Sequence, residues 1–175
     1  SERDKRVIKG WEKWIEEYRA LINKLEFRDE SLSPQEAGRL NYIRNLLEAG
    51  LGTKTTLSED NRRTHLRVPV KLPIKFKTAD GEFDAYTWDI GIKGMFICTN
   101  QTVLVGSHLE VSLEDTNGEK VKLPAIAKWA RHSGEKSLPV GFGVFLTLSL
   151  SDTNNLKYHN LFFEKLRSAI TEKLG

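Results

Sequence analysis

The sequence predicts an α+β chain: a helical hairpin, then six short antiparallel strands forming a small barrel or sandwich, then a C-terminal helix. Three observations carry this prediction. An apolar stripe with helical spacing runs through the first part of the chain. From about Pro69 the apolar period changes to two and turn signals recur. From Ser151 the helical spacing returns.

The first helix is read from Val7, Trp11, Trp14, Tyr18, Leu21 and Leu25, which follow alternating steps of four and three. Ile8, Ile15 and Ile22 widen that stripe by one position per heptad. A stripe this wide and aromatic must pack on a partner element or a partner protein. The second helix opens at Ser33, with Pro34 at its first position and Glu36 completing a capping box. Leu40, Ile43, Leu46 and Leu47 supply its apolar face, and Gly50 and Gly52 are expected to end it. Residues 1–52 thus form the hairpin, 53–62 a polar linker, and 63–175 the strand domain with its terminal helix.

In the strand region, "VKLPIKFKTADGEFDAYTWDI" alternates apolar and polar residues around Asp80-Gly81, a hairpin signal. "GMFICT", "HLEVSLED", "KVKLPAIAKWAR" and "LPVGFGVFLTLSL" supply the other strands, with Asn117-Gly118 as a second turn. Pro73, Pro124 and Pro139 are expected at edges, strand ends or bulges, since proline cannot donate to a ladder. The last helix presents Leu156, Phe163, Leu166 and Ile170 on one face.

Composition excludes several function classes. The 175 residues carry a formal net charge of only +3, with 11 Lys+Arg against 12 Asp+Glu in residues 1–60 and 16 against 12 in the rest. That balance is too weak for general DNA or RNA binding, so anion recognition should be local. Cys98 is the only cysteine, which rules out an intramolecular disulfide and a cysteine zinc cluster. It is expected to be a buried strand residue. His65, His108, His132 and His159 show no spacing that builds a catalytic set or a metal site, so no catalytic residue, metal or cofactor is expected. No run approaches the roughly 18 apolar residues of a membrane span. A cytoplasmic location is expected, with a targeting segment upstream of Ser1 left open.

Two short elements point to chemistry. Arg63-Thr-His-Leu-Arg67, with Arg62 beside it, stands ahead of the first strand. Asp89-Ile-Gly-Ile-Lys-Gly94 follows the first hairpin. Either alone is commonplace: a charged linker, and a tight turn. In this order, one hairpin apart, they resemble the two signatures of the PilZ family, Arg-x-x-x-Arg and Asp/Asn-x-Ser-x-x-Gly. "RRTHLRVPVKLPIKF", "GMFI" and "GFGVFLTLS" resemble the family's strands around them. The resemblance covers the chain from about Asn61 onward and not the N-terminal hairpin.

The resemblance implies a six-stranded antiparallel barrel with a C-terminal helix and no enzymatic activity, which binds the bacterial second messenger cyclic di-GMP. The matched residues suit that ligand. Arginine stacks on rings and donates in a fork to guanine or phosphate, which fits Arg62, Arg63 and Arg67 to a ligand with two guanines and two phosphates. Asp89 would accept guanine N–H groups, and Gly94 would let the backbone approach closely. Trp129, on a late strand, would supply a stacking wall. Gly91 departs from the pattern, standing where the family has serine. Losing one hydrogen bond costs about 0.5–1.5 kcal/mol, which implies weakened binding rather than none. The alternative is a degenerate adaptor that binds no nucleotide and works through its N-terminal helices, by a protein partner or by self-association.

Overall fold

A computed structural model describes residues 2–52, 65–132 and 139–174. The chain divides into two compact units, one of Ser1–Leu66 with Phe163–Gly175 and the other of Arg67–Phe162. The expected linker, residues 53–62, lies outside the described residues, as do Arg62 and Arg63.

In the first unit α1 (Glu2–Glu26) and α2 (Pro34–Leu51) pack antiparallel. Lys24 pairs with Glu36 at 3.0 Å and Arg39 with Glu17 at 2.7 Å. The capping box forms as read: Ser33 Oγ accepts from the Glu36 N–H at 3.1 Å, and Glu36 accepts from the Ser33 N–H at 3.0 Å. The buried line on α1 is Ile15, Tyr18 and Ile22, facing Leu40, Ile43, Leu47 and Leu51 of α2. Trp11 and Trp14 are only half-buried, at the margin of the stripe rather than its centre. Gly50 does not end α2, as expected, but lies inside it. A β-carbon there would meet the Trp11 ring at 2.8 Å, so glycine makes room for the indole. Gly52, at φ 71°, is the cap.

The second unit holds the strands: β1 (Arg67–Pro69), β2 (Pro73–Thr78), β3 (Gly81–Gly91), β4 (Gly94–Cys98), β5 (His108–Glu114), β6 (Lys120–Arg131) and β7 (Gly141–Leu146). The order β3-β2-β5-β6-β7-β4 is closed by pairing of β3 with β4, giving a six-stranded antiparallel barrel rather than a sandwich. β1 is a seventh, three-residue strand that the alternation did not distinguish from its neighbour. It continues β2 along the same edge of β3 after a break at Val70–Leu72. Thr87 bridges the break: its hydroxyl donates to the Val70 carbonyl at 2.7 Å and accepts from the Leu72 N–H at 2.9 Å. Inward side chains, among them Phe76, Ile90, Met95, Ile97, Val111, Leu123 and Phe142, fill the barrel. Pro124 sits within β6, but its carbonyl accepts from Thr147, just past the end of β7. Its missing N–H therefore falls where that ladder runs out.

The helix α3 (Thr153–Leu174) opens under Asp152, whose carboxylate accepts from the N–H groups of Asn154 and Asn155. Its residues contribute to both units. The expected apolar face is corrected in the first half, where Leu156 is 41% exposed and Asn155, Tyr158, His159 and Phe162 are buried instead. Phe163, Leu166 and Ile170 are buried as expected, with Phe163 against Tyr18 at 6.3 Å between ring centroids.

Thr87→Val keeps shape and strand propensity but leaves one part-buried carbonyl and one N–H at the β1–β2 break without the threonine hydroxyl. Equilibrium urea unfolding is expected to show a loss of about 1–3 kcal/mol.

Candidate ligand site

Register assembles the site. β1 lies along the end of β3 with Arg67 opposite Gly91 and Pro69 opposite Asp89. On the other edge of β3, Asp89 faces Phe96 and Gly91 faces Gly94 of β4. Phe96 in turn faces Gly143 of β7, and Gly143 faces Trp129 of β6. Directly opposed residues point to the same side of a sheet. The row Ile90, Met95, Val144, Ala127 points inward, each at most 4% exposed. The row Asp89, Phe96, Gly143, Trp129 therefore lies on the outer face, and Arg67, Gly91, Gly94, Phe145 and Ile126 form the next outer row.

Four of the expected site residues converge at one end of this face. Arg67 Nη1 donates to Asp89 Oδ1 at 3.2 Å, in a partly buried ion pair. The arginine side chain lies over both glycines. A β-carbon at Gly91 would stand 3.1 Å from Arg67 Cδ and 3.2 Å from Nε, and one at Gly94 would stand 3.3 Å from Nη2. Gly94 is also demanded by backbone, since its β-carbon would meet the Val144 carbonyl oxygen at 2.6 Å.

Trp129 lies in the same outer row as Asp89, three strands away around the ring. It is 41% exposed. Its indole lies over Gly143 and against Phe96, with 4.9 Å between ring centroids, and the Arg131 guanidinium sits 5.6 Å from its ring. Register shifts between Thr87 and Asp89 and between Ala127 and Trp129 place Trp88 and Lys128 as extra residues in their strands. Both are exposed. Lys93 and Lys128 approach the Phe145 ring at 5.4 and 5.8 Å, and Lys71 approaches Tyr86 at 4.5 Å. Within the two outer rows Asp89 is the only acidic residue. Clefts of about 710 and 230 Å³ flank the far end of the face, beside Tyr86 and Cys98 and beside Arg131 and Gly141.

Cys98 ends β4 half-covered on this outer side rather than buried, because its row, with Tyr86 and Gly141, alternates outward. Burial first, and then the Asp89 charge, push its thiol above the usual cysteine range. That disfavours the thiolate a nucleophile needs. Among the described residues no group of histidine, cysteine and carboxylate side chains could hold a metal ion, and no helix is long and apolar enough to cross a membrane.

The sequence reading missed Tyr158. Its phenol, wholly buried on α3, donates to the Gly91 carbonyl at 2.6 Å and fixes the end of β3 under the site. Burial pushes this phenol far above the usual tyrosine range. Nothing in "NLKYHNLFF" distinguishes that tyrosine from any other helix aromatic.

Because the folded-state value lies above the unfolded one, Tyr158 contributes stability that is intact below about pH 10 and lost as pH rises further, by about 1.4 kcal/mol per pH unit. Tyr158→Phe is expected to remove that tyrosine's share of the alkaline slope. It also leaves the Gly91 carbonyl without its donor, costing about 1–3 kcal/mol at neutral pH. Urea unfolding repeated between neutral pH and pH 11 measures both effects.

Comparison with known proteins places this architecture. No curated protein matches the chain. Among solved structures, the PilZ domain of CeSA from a cellulose-synthesizing bacterium matches at TM-score 0.42 and 17% identity, over 55% of this chain and 94% of that one. The Bacillus subtilis inhibitor of motility MotI/DgrA matches at 0.48 and 12%, over 60% of this chain. Borreliella burgdorferi PlzA, solved in complex with c-di-GMP, matches at 0.46 and 18%, over 78%. The alignments span about half the length of these last two proteins, 52% and 50%. The family model of the PilZ domain matches residues 61–163, more than half of the sequence. The barrel and its C-terminal helix thus have a family, and this chain belongs to the PilZ domain family.

Proposed function

We propose that the chain is a bacterial, cytoplasmic receptor for cyclic di-GMP, without catalytic activity, which holds the dinucleotide along the outer face of β1, β3, β4, β7 and β6. The observation that carries this reading is the convergence of Arg67, Asp89, Gly91 and Gly94 on one face, in register with Trp129. Trp129 stands three strands from Asp89 around the ring, and its indole reaches back over Gly143 to Phe96, the residue opposite Asp89. The guanidinium of Arg67 serves a guanine edge or a phosphate, Asp89 takes guanine N–H groups, and Trp129 offers its exposed indole for stacking. Arg62 and Arg63, which precede Arg67 in the same segment, add charge for the two phosphates. The family's ligand supports the assignment, as does the sparsity of acidic side chains on the face. Output is assigned to the N-terminal helices, where Tyr42 is 53% exposed beside Trp14, through a protein partner or self-association.

Calorimetric titration with cyclic di-GMP, with GTP and cyclic GMP as controls, tests this. Saturable and selective heat is expected. Arg67→Ala and Arg63→Ala are each expected to weaken binding by about tenfold or more with the fold retained by circular dichroism. Trp129→Ala is expected to weaken it by about fivefold or more. No heat at high ligand concentration leaves the adaptor reading in its place, and unchanged affinity in both arginine variants overturns the assignment of the site to these residues.

A further inference from the structure

The glycine that departs from the family pattern has a physical role in this chain. Gly91 is not required by backbone conformation: positive φ occurs at Gly52, Gly81, Gly106, Gly118 and Gly141, not here. Nor does backbone crowd it as it does Gly94. The nearest atoms to a β-carbon at Gly91 belong to the Arg67 side chain, at 3.1 and 3.2 Å, with the Gly94 carbonyl oxygen next at 3.4 Å. The strand is tied at this point, since the Tyr158 phenol donates to the Gly91 carbonyl at 2.6 Å. The arginine is the part free to give, since its side chain is 27% exposed and flexible.

We infer that Gly91 sets the resting position of Arg67, so that the Arg67–Asp89 pair occupies the site until a ligand displaces it. In this position the guanidinium spends a donor on Asp89, and Asp89 spends an acceptor on it, at 3.2 Å. The same side chain covers both glycines, where a ligand would otherwise approach the backbone. A ligand must therefore exchange this pair for its own contacts, and its apparent affinity falls by the fraction of molecules already open. Any side chain at position 91 presses on the arginine and shifts that balance. The ligand half of this inference rests on the receptor reading above; the resting position does not.

The test has two arms. In ligand-free protein, the non-additivity of Arg67→Ala and Asp89→Ala in melting temperature is measured with Gly91 intact and in a Gly91→Ala background. Coupling is expected in the first and is expected to be smaller in the second; equal coupling in both overturns the inference. Gly91→Ser repeats the comparison with a second side chain, in case Gly91→Ala lowers stability too far to measure. In the second arm, Gly91→Ala is expected to bind cyclic di-GMP about three- to tenfold more tightly than the parent. Unchanged or weaker binding by a variant whose coupling is reduced overturns the displacement. If parent and variants all fail to bind, the receptor reading falls, and the resting position is decided by the coupling alone.

Discussion

The pairing of β3 with β4 is the constraint on which the rest of the strand unit depends. Eleven-residue β3 is long enough to hold β2 and then β1 along one edge while its last residues hold β4 along the other. That second pairing closes the ring and removes an exposed sheet edge. It depends on the glycine at position 94, where β7 brings the Val144 carbonyl too close for any side chain; Gly91 opposite it is crowded chiefly by the Arg67 side chain. The same closure draws Arg67, Asp89 and the two glycines into one corner. Fold and site therefore share a cause, and a change at Gly94 would be felt by both.

Within the barrel, alternation sends one row of each strand inward to a dry core and the next outward. On the outer face between β1 and β6 this leaves aromatic and cationic side chains gathered around one carboxylate. Trp129 lies over Gly143 and against Phe96, Lys93 and Lys128 approach Phe145, and Arg67 lies across Gly91. Two bulged positions add Trp88 and Lys128 to this surface without disturbing the inward rows. The proposed ligand, planar and anionic, would use this chemistry, since guanidinium and indole both stack and the cationic groups stand on the solvent side of the wall.

Much of this was legible along the chain, where the controlling physics is local. The capping box at Ser33 and Glu36 formed as read, because it depends on four consecutive residues. The strands followed the period of two. Arg67, Asp89, Gly91 and Gly94 were singled out only through their resemblance to the family's two signatures. Elsewhere the reading slipped by one face or one residue. Leu156 was assigned to a buried face that Asn155 and Tyr158 occupy, and Gly50 was taken for a helix end when it is a seat for Trp11. Both depend on what lies opposite, and spacing along one element does not contain that.

Taken alone, then, the sequence determined the kinds of element, their order and the residues of the motif, since propensity, capping and alternation act between neighbours in the chain. The tertiary structure decided which ends of which strands meet. It chose barrel over sandwich through the β3–β4 pairing, put Trp129 in line with Asp89 across four strands, and brought Tyr158 beneath Gly91 from 67 residues away. It also decided where Arg67 rests. These are relations between residues distant along the chain, set by register and by the space that neighbouring backbones leave. They come into being only when the ring closes.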